Sequence, residues 1–80
     1  MNIRTAPSPE FRITEHARLR ASERDVSLSE LAEVFSDRDY VAKYSKKDPI
    51  TKRYVLRYNN LRVVWERAGG AVTVLSVFSK

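Results

Sequence analysis

Apolar and polar positions alternate along residues 52–78, and two turn-forming breaks divide the alternation into three runs. The runs cover 52–58, 61–67 and 72–78, separated by Asn59-Asn60 and by Ala68-Gly69-Gly70-Ala71. They are rich in β-branched and aromatic residues, and Asn and Gly tolerate the positive φ of hairpin turns, so three successive antiparallel strands are predicted. A two-residue loop at Asn59-Asn60 sets Tyr58 opposite Leu61, Leu56 opposite Val63 and Tyr54 opposite Trp65 on one face. The other face then carries Arg57 opposite Arg62, Val55 opposite Val64 and Arg53 opposite Glu66. A second two-residue loop at Gly69-Gly70 sets Trp65 against Val74 and Glu66 against Thr73. Unbroken alternation adds Val72, Val74, Ser76 and Phe78 to the aromatic face, and Thr73, Leu75 and Val77 to the arginine face. A one-residue slip at the glycine turn would exchange Thr73 for Ser76.

The N-terminal half follows a helical period instead. Thr14 is placed to cap a helix running to about residue 25, with Ile13, Ala17 and Ala21 as a thin apolar stripe. His16, Arg20 and Arg24 form an i, i+4, i+8 row beside that stripe. Ser27-Leu28-Ser29-Glu30 reads as a capping box opening a second helix, whose buried stripe is Leu28, Leu31, Ala32 and Phe35. Residues 36–39 end it. Residues 40–45 alternate again and predict a strand, with Val41 and Lys43 on one side, before a turn at 46–49. Phe11 and Ile13 are expected to start the fold as an extended segment. Residues 1–10, with Pro7 and Pro9, read as a flexible leader, with a short extended piece at 2–4. The expected fold class is α+β: two N-terminal helices packed on one face of a four-stranded antiparallel meander, in a single domain over 11–80. The helices cover the aromatic face, and the arginine face stays open.

Composition narrows the partners. The chain carries a net charge of +5 with 31% charged residues, a balance that favours nucleic acid or an acidic protein. There is no cysteine, which fits a reducing, cytoplasmic compartment. No apolar run is long enough to predict a signal peptide or a membrane helix.

The candidate chemistry is that of charge and one imidazole. His16 is the sole histidine. Beside Arg20 and Arg24 it would be held toward its neutral, basic form. Alternatively it caps the helix start. Arg53, Arg57 and Arg62 on the sheet, with Lys43 alongside, suit phosphate, since the guanidinium fork binds two oxygens and stays charged. Equally, such a face can be an ordinary solvated one. Arg57 opposite Arg62 is unfavourable unless an anion neutralises the pair. Thr73 could orient a phosphate, and Glu66 could serve as a base or pair with Arg53, the pairing being favoured. There is no glycine-rich phosphate loop and no Cys/His cluster, so neither a metal site nor a cofactor is expected.

The stretch Ile13-Thr14-Glu15-His16-Ala17-Arg18-Leu19-Arg20-Ala21-Ser22-Glu23-Arg24 resembles the His-Ala-x-x-Arg-x-x-x-Arg opening of small bacterial domains grouped with RelE-like and BrnT-like toxins in the barnase–EndoU–colicin–RelE ribonuclease fold. Residues 26–37 are similar to the second-helix segment of BrnT-like toxins, and Val72-Thr73-Val74 resembles the closing strand. The resemblance spans 13–78 and implies a metal-independent endoribonuclease toxin that cleaves tRNA or mRNA by 2′-OH transesterification and is held by a cognate antitoxin or immunity protein. The matching positions are His16, Arg20, Arg24 and Thr73, with Arg57 as the basic strand residue; together with the arginine face this leads to expected catalytic roles for His16, Arg20, Arg57 and Thr73, and RNA-binding roles for Arg24, Lys43, Arg53 and Arg62. The competing expectation is a non-catalytic basic module that binds nucleic acid or an acidic protein through the same face.

Overall fold

The computed structural model describes residues 10–79, so positions 1–9 of the leader expected at 1–10 lie outside the described residues, while Glu10 belongs to the first strand. The elements run β1 Glu10–Ile13, α1 Glu15–Glu23, α2 Leu28–Ser36, α3 Arg38–Tyr44, β2 Ser45–Lys47, β3 Tyr54–Tyr58, β4 Leu61–Ala68 and β5 Ala71–Ser79. The sheet has five strands in the order β1-β5-β4-β3-β2. The α+β class holds, with two corrections. The short segment around Phe11 and Ile13 is a full member of the sheet, pairing parallel to β5. The sheet is therefore mixed and not a pure meander.

The second correction concerns residues 40–45, which form α3 and only then enter a strand. Asp37 has extended backbone, closes α2 and caps α3, accepting from the Tyr40 amide at 3.1 Å. Tyr40 and Tyr44, four apart, pack with tilted rings whose centroids are 4.7 Å from each other, and Val41 turns into the core. An i, i+4 pair serves a helix as well as alternation serves a strand over so few residues, and the cap decides between them.

Both predicted N-caps form. Thr14 accepts from the Ala17 amide at 3.1 Å and Ser27 from the Glu30 amide at 3.0 Å. The box at Ser27 is completed differently: the Glu30 carboxylate accepts from the Tyr58 hydroxyl across on β3. The α2 stripe is Leu31, Val34 and Phe35, with Leu28 and Ala32 exposed.

The three helices lie on one sheet face. Ala17, Ala21, Leu31, Phe35 and Val41 bury against Leu56, Val63, Trp65, Val72, Val74 and Val77. Trp65 is the hub, stacked on Tyr54 at 4.4 Å, edge-on to Phe35 at 5.5 Å, and donating from Nε1 to Ser45 Oγ at 3.2 Å. The β3–β4 register is as expected, from Tyr58↔Leu61 to Tyr54↔Trp65. Asn59 takes φ +55°, and Gly69 and Gly70 take +60° and +135°, which explains those residues at the two turns.

The alternation breaks once, in β5. Val64 pairs with Ser76 and Trp65 with Val74, leaving Leu75 as the extra residue of a β-bulge. Beyond it the parity inverts. Val77, expected on the open face, is fully buried opposite Val63; Ser76 and Phe78, expected in the core, stand opposite Val64 and Arg62 on the open face.

Candidate functional site

The bulge assembles the most distinctive polar contact of the molecule. β1 pairs with β5 only as far as Ile13↔Val74, after which the chain leaves the sheet as α1. Thr14 fastens this exit: its amide donates to the Val74 carbonyl at 3.1 Å and its hydroxyl to the Leu75 carbonyl at 3.3 Å. That places His16, in the first turn of α1, beside the inverted part of β5. Its Nε2 lies 3.4 Å from Ser76 Oγ. His16 is exposed, so its ring is accessible to a ligand on the open face.

Two cross-strand rows flank this pair. Arg57, Arg62 and Phe78 stand opposite one another on β3, β4 and β5. Neither arginine has an acidic partner among the described residues. The Arg62 guanidinium donates at 3.2 Å to the carbonyl of Leu61 instead. Phe78 is two residues from Ser76, about 7 Å along the strand. The other row is Arg12, Thr73 and Glu66 on β1, β5 and β4, with Arg53 Nε 4.0 Å from Glu66 Oε1. Glu66 thus takes the ion-pair role in preference to a free base. Thr73 lies three residues from Ser76, roughly 10 Å along β5, so it is Ser76 and not Thr73 whose hydroxyl meets His16.

Arg20 and Arg24, at the end of α1, share one carboxylate. Arg20 is 2.9 Å and Arg24 3.6 Å from the same Glu23 Oε1. Both ends of the Arg20–Glu23 pair are about half exposed, so it is a weak tether that a phosphate can displace. Arg24 is the more buried and its Nε has no hydrogen-bond partner. Lys43 is not on the open face. It lies on α3 over the Tyr44 ring at 5.5 Å, and Lys46, opposite Val55, takes its place on the sheet.

At the other end of β3, the Tyr58 phenol is pushed up to about 12, first by its bond to Glu30, then by burial and by nearby negative charge. Tyr40 is also raised, by burial and then by Tyr44; its hydroxyl donates to the Arg57 carbonyl at 3.3 Å. These phenols stay protonated at neutral pH and tie α2 and α3 to β3, the strand that carries Arg57.

The model of a family described as a domain of unknown function, DUF4258, matches residues 13–79. The chain belongs to the DUF4258 family. No curated protein matches it in sequence. Among solved structures, a chain of the toxin–antitoxin complex RelBE2 from Mycobacterium tuberculosis is similar to this DUF4258 domain with a TM-score of 0.62 at 17% identity, covering 92% of this chain and all of that one. The two share a fold. No helix among the described residues of the DUF4258 domain is long and apolar enough to cross a membrane.

Sequence reasoning on this DUF4258 domain missed Phe78, Arg12 and Lys46 as open-face residues, and raised Ser76 only through a slip at the glycine turn that does not occur. Arg12 was legible in principle, since Phe11 and Ile13 on the core side force it outward once β1 is accepted as a strand. Ser76 and Phe78 were not, because the bulge reverses their parity.

Proposed function

We propose that this protein is the toxin of a toxin–antitoxin pair, a metal-independent endoribonuclease that cleaves RNA on the open face of its sheet. The observation that carries the reading is the His16–Ser76 contact at 3.4 Å, at the margin of a face where Arg57 and Arg62 stand opposite each other with no acidic partner among the described residues. The shared fold with a chain of a toxin–antitoxin complex supports it. In the proposed reaction the ribose 2′-oxygen attacks the adjacent phosphorus, the bond to the 5′-oxygen breaks, and a 2′,3′-cyclic phosphate remains. His16 takes the proton of the 2′-OH, and the departing 5′-oxygen takes a proton from solvent water. Ser76 fixes the orientation of the imidazole. Arg57 and Arg62, joined by Arg20 once released from Glu23, carry the charge that develops on the phosphoryl oxygens. Phe78 offers an apolar edge for a splayed base, and Thr73 with Arg53 and Arg24 lines the path of the strand. The protein partner is a cognate antitoxin.

The test is incubation of the purified protein with bacterial RNA in excess EDTA, and in parallel in a translating extract, beside His16→Ala and Arg57→Ala. Cleavage leaving cyclic phosphate ends, lost in both variants, is the expected result. Wild-type rates in both variants would overturn the roles given to His16 and Arg57, and no cleavage by the native protein in either setting would replace the enzyme by a basic binding module.

A further inference from the structure

On the opposite, helix-bearing side of the sheet a cleft of about 420 Å³ opens between α2, α3 and the β4–β5 end. Its floor is apolar and aromatic, with Phe35, Val41, Tyr54 and Trp65, and its rim holds Arg38 and Arg67. No carboxylate lines it, and neither rim arginine has an ion-pair partner among the described residues. Lys47, over the Tyr54 ring at 5.7 Å, adds a third cation beside it. An apolar floor with an uncompensated cationic rim on a chain of charge +5 is complementary to an acidic segment that carries apolar side chains.

We infer that this cleft is the docking site for an acidic, amphipathic segment of a partner protein, whose apolar side chains enter between α3 and Trp65 while its carboxylates meet Arg38 and Arg67. A nucleic acid fits less well. Base stacking needs a free ring face, and Trp65 is covered by Tyr54 on one side at 4.4 Å, approached by Phe35 edge-on, and overlaid by the Arg67 guanidinium at 5.7 Å. Side chains of helical or extended spacing need only the space between these rings. The volume exceeds what one side chain fills, so two or more anchors are accommodated. The inference rests on the partner-protein part of the function proposed above and not on RNA cleavage, since the cleft and the cationic face lie on opposite sides of the sheet.

Trp65 is the sole tryptophan, so its emission reports the cleft directly. The probe is a short acetylated peptide of glutamate and leucine, with leucines at i, i+3, i+4 and i+7, and a control in which lysine replaces glutamate. The acidic peptide is expected to change Trp65 emission saturably. The affinity should fall about tenfold with Arg67→Glu and with Arg38→Glu, in step with loss of one charge-assisted contact each, and fall with added salt. Arg57→Glu, on the other face, should leave it unchanged. No saturable change, an equal response to the lysine peptide, or loss with Arg57→Glu but not with Arg67→Glu would overturn the inference. So would an oligouridylate that binds at Trp65 more tightly than the acidic peptide. Circular dichroism confirms that each variant is folded, and RNA cleavage, measured separately, does not depend on the outcome.

Discussion

The bulge at Leu75 decides which side chains face His16, and it can be tested without measuring activity. Val77→Thr and Phe78→Tyr each add one hydroxyl with little change of shape, so each asks whether that position is wet or dry. Val77 is fully buried opposite Val63, in the apolar core. A hydroxyl there loses water without gaining a partner, at a cost of about 1–3 kcal/mol. In a domain of this size each kcal/mol lowers Tm by roughly 4–8 °C, so Val77→Thr should melt on the order of 5–20 °C below the parent. Phe78 is 40% exposed at the rim of the open face. Its para position can reach water, and Phe78→Tyr should stay within about 0.5 kcal/mol of the parent. Thermal and urea unfolding, followed by circular dichroism, measure both. The reverse ranking, with Phe78→Tyr costly and Val77→Thr neutral, would mean that alternation runs unbroken through Leu75. Ser76 would then lie in the core, and the contact with His16 would not exist.

Further outcomes follow from other contacts. Thr14→Ala removes both the α1 cap and the bond to the Leu75 carbonyl, and should cost about 1 kcal/mol or somewhat more in urea unfolding, with Thr14→Ser recovering most of it. Tyr58 is protonated more tightly in the folded state than in the unfolded state, so its contribution to stability is complete below about pH 10 and is lost as pH rises toward about 12. Tyr58→Phe should flatten the decline of stability across that window, and an absorbance titration of the native protein should show one phenol ionising near 12. Ser76→Ala should lower RNA cleavage more than Thr73→Ala does, with binding of uncleaved RNA unchanged in Ser76→Ala; the opposite order would restore Thr73 as the working hydroxyl. Leu56→Ala, at a fully buried position of β3, should cost roughly 2–5 kcal/mol and leave a chain this small largely unfolded near physiological temperature.

The local chemistry of the sequence determined a large part of this protein. Asn59 and the two glycines specify hairpins because few other residues accept their φ, and the hairpins set the β3–β4 register and its Arg57–Arg62 pair. Thr14 and Ser27 specify helix starts because their oxygens satisfy an amide that would otherwise be orphaned. Such features act within a few residues and can be read one at a time. Tertiary structure decided the rest. Whether residues 40–44 were strand or helix depended on Asp37 capping α3 and on Val41 finding the core, since a short stretch satisfies both periods. Whether β1 joined the sheet depended on β5 offering an edge from Ala71 to Val74, a partner some sixty residues away. The site turned on the same kind of remote event. The bulge is not encoded by a turn residue. It forms where Thr14 binds the carbonyl of Leu75 as the chain leaves the sheet, and where Val77 gains burial against Val63. Alternation, which is strictly local, could only carry the pattern straight through, and so it placed Ser76 on the wrong side of the sheet from His16.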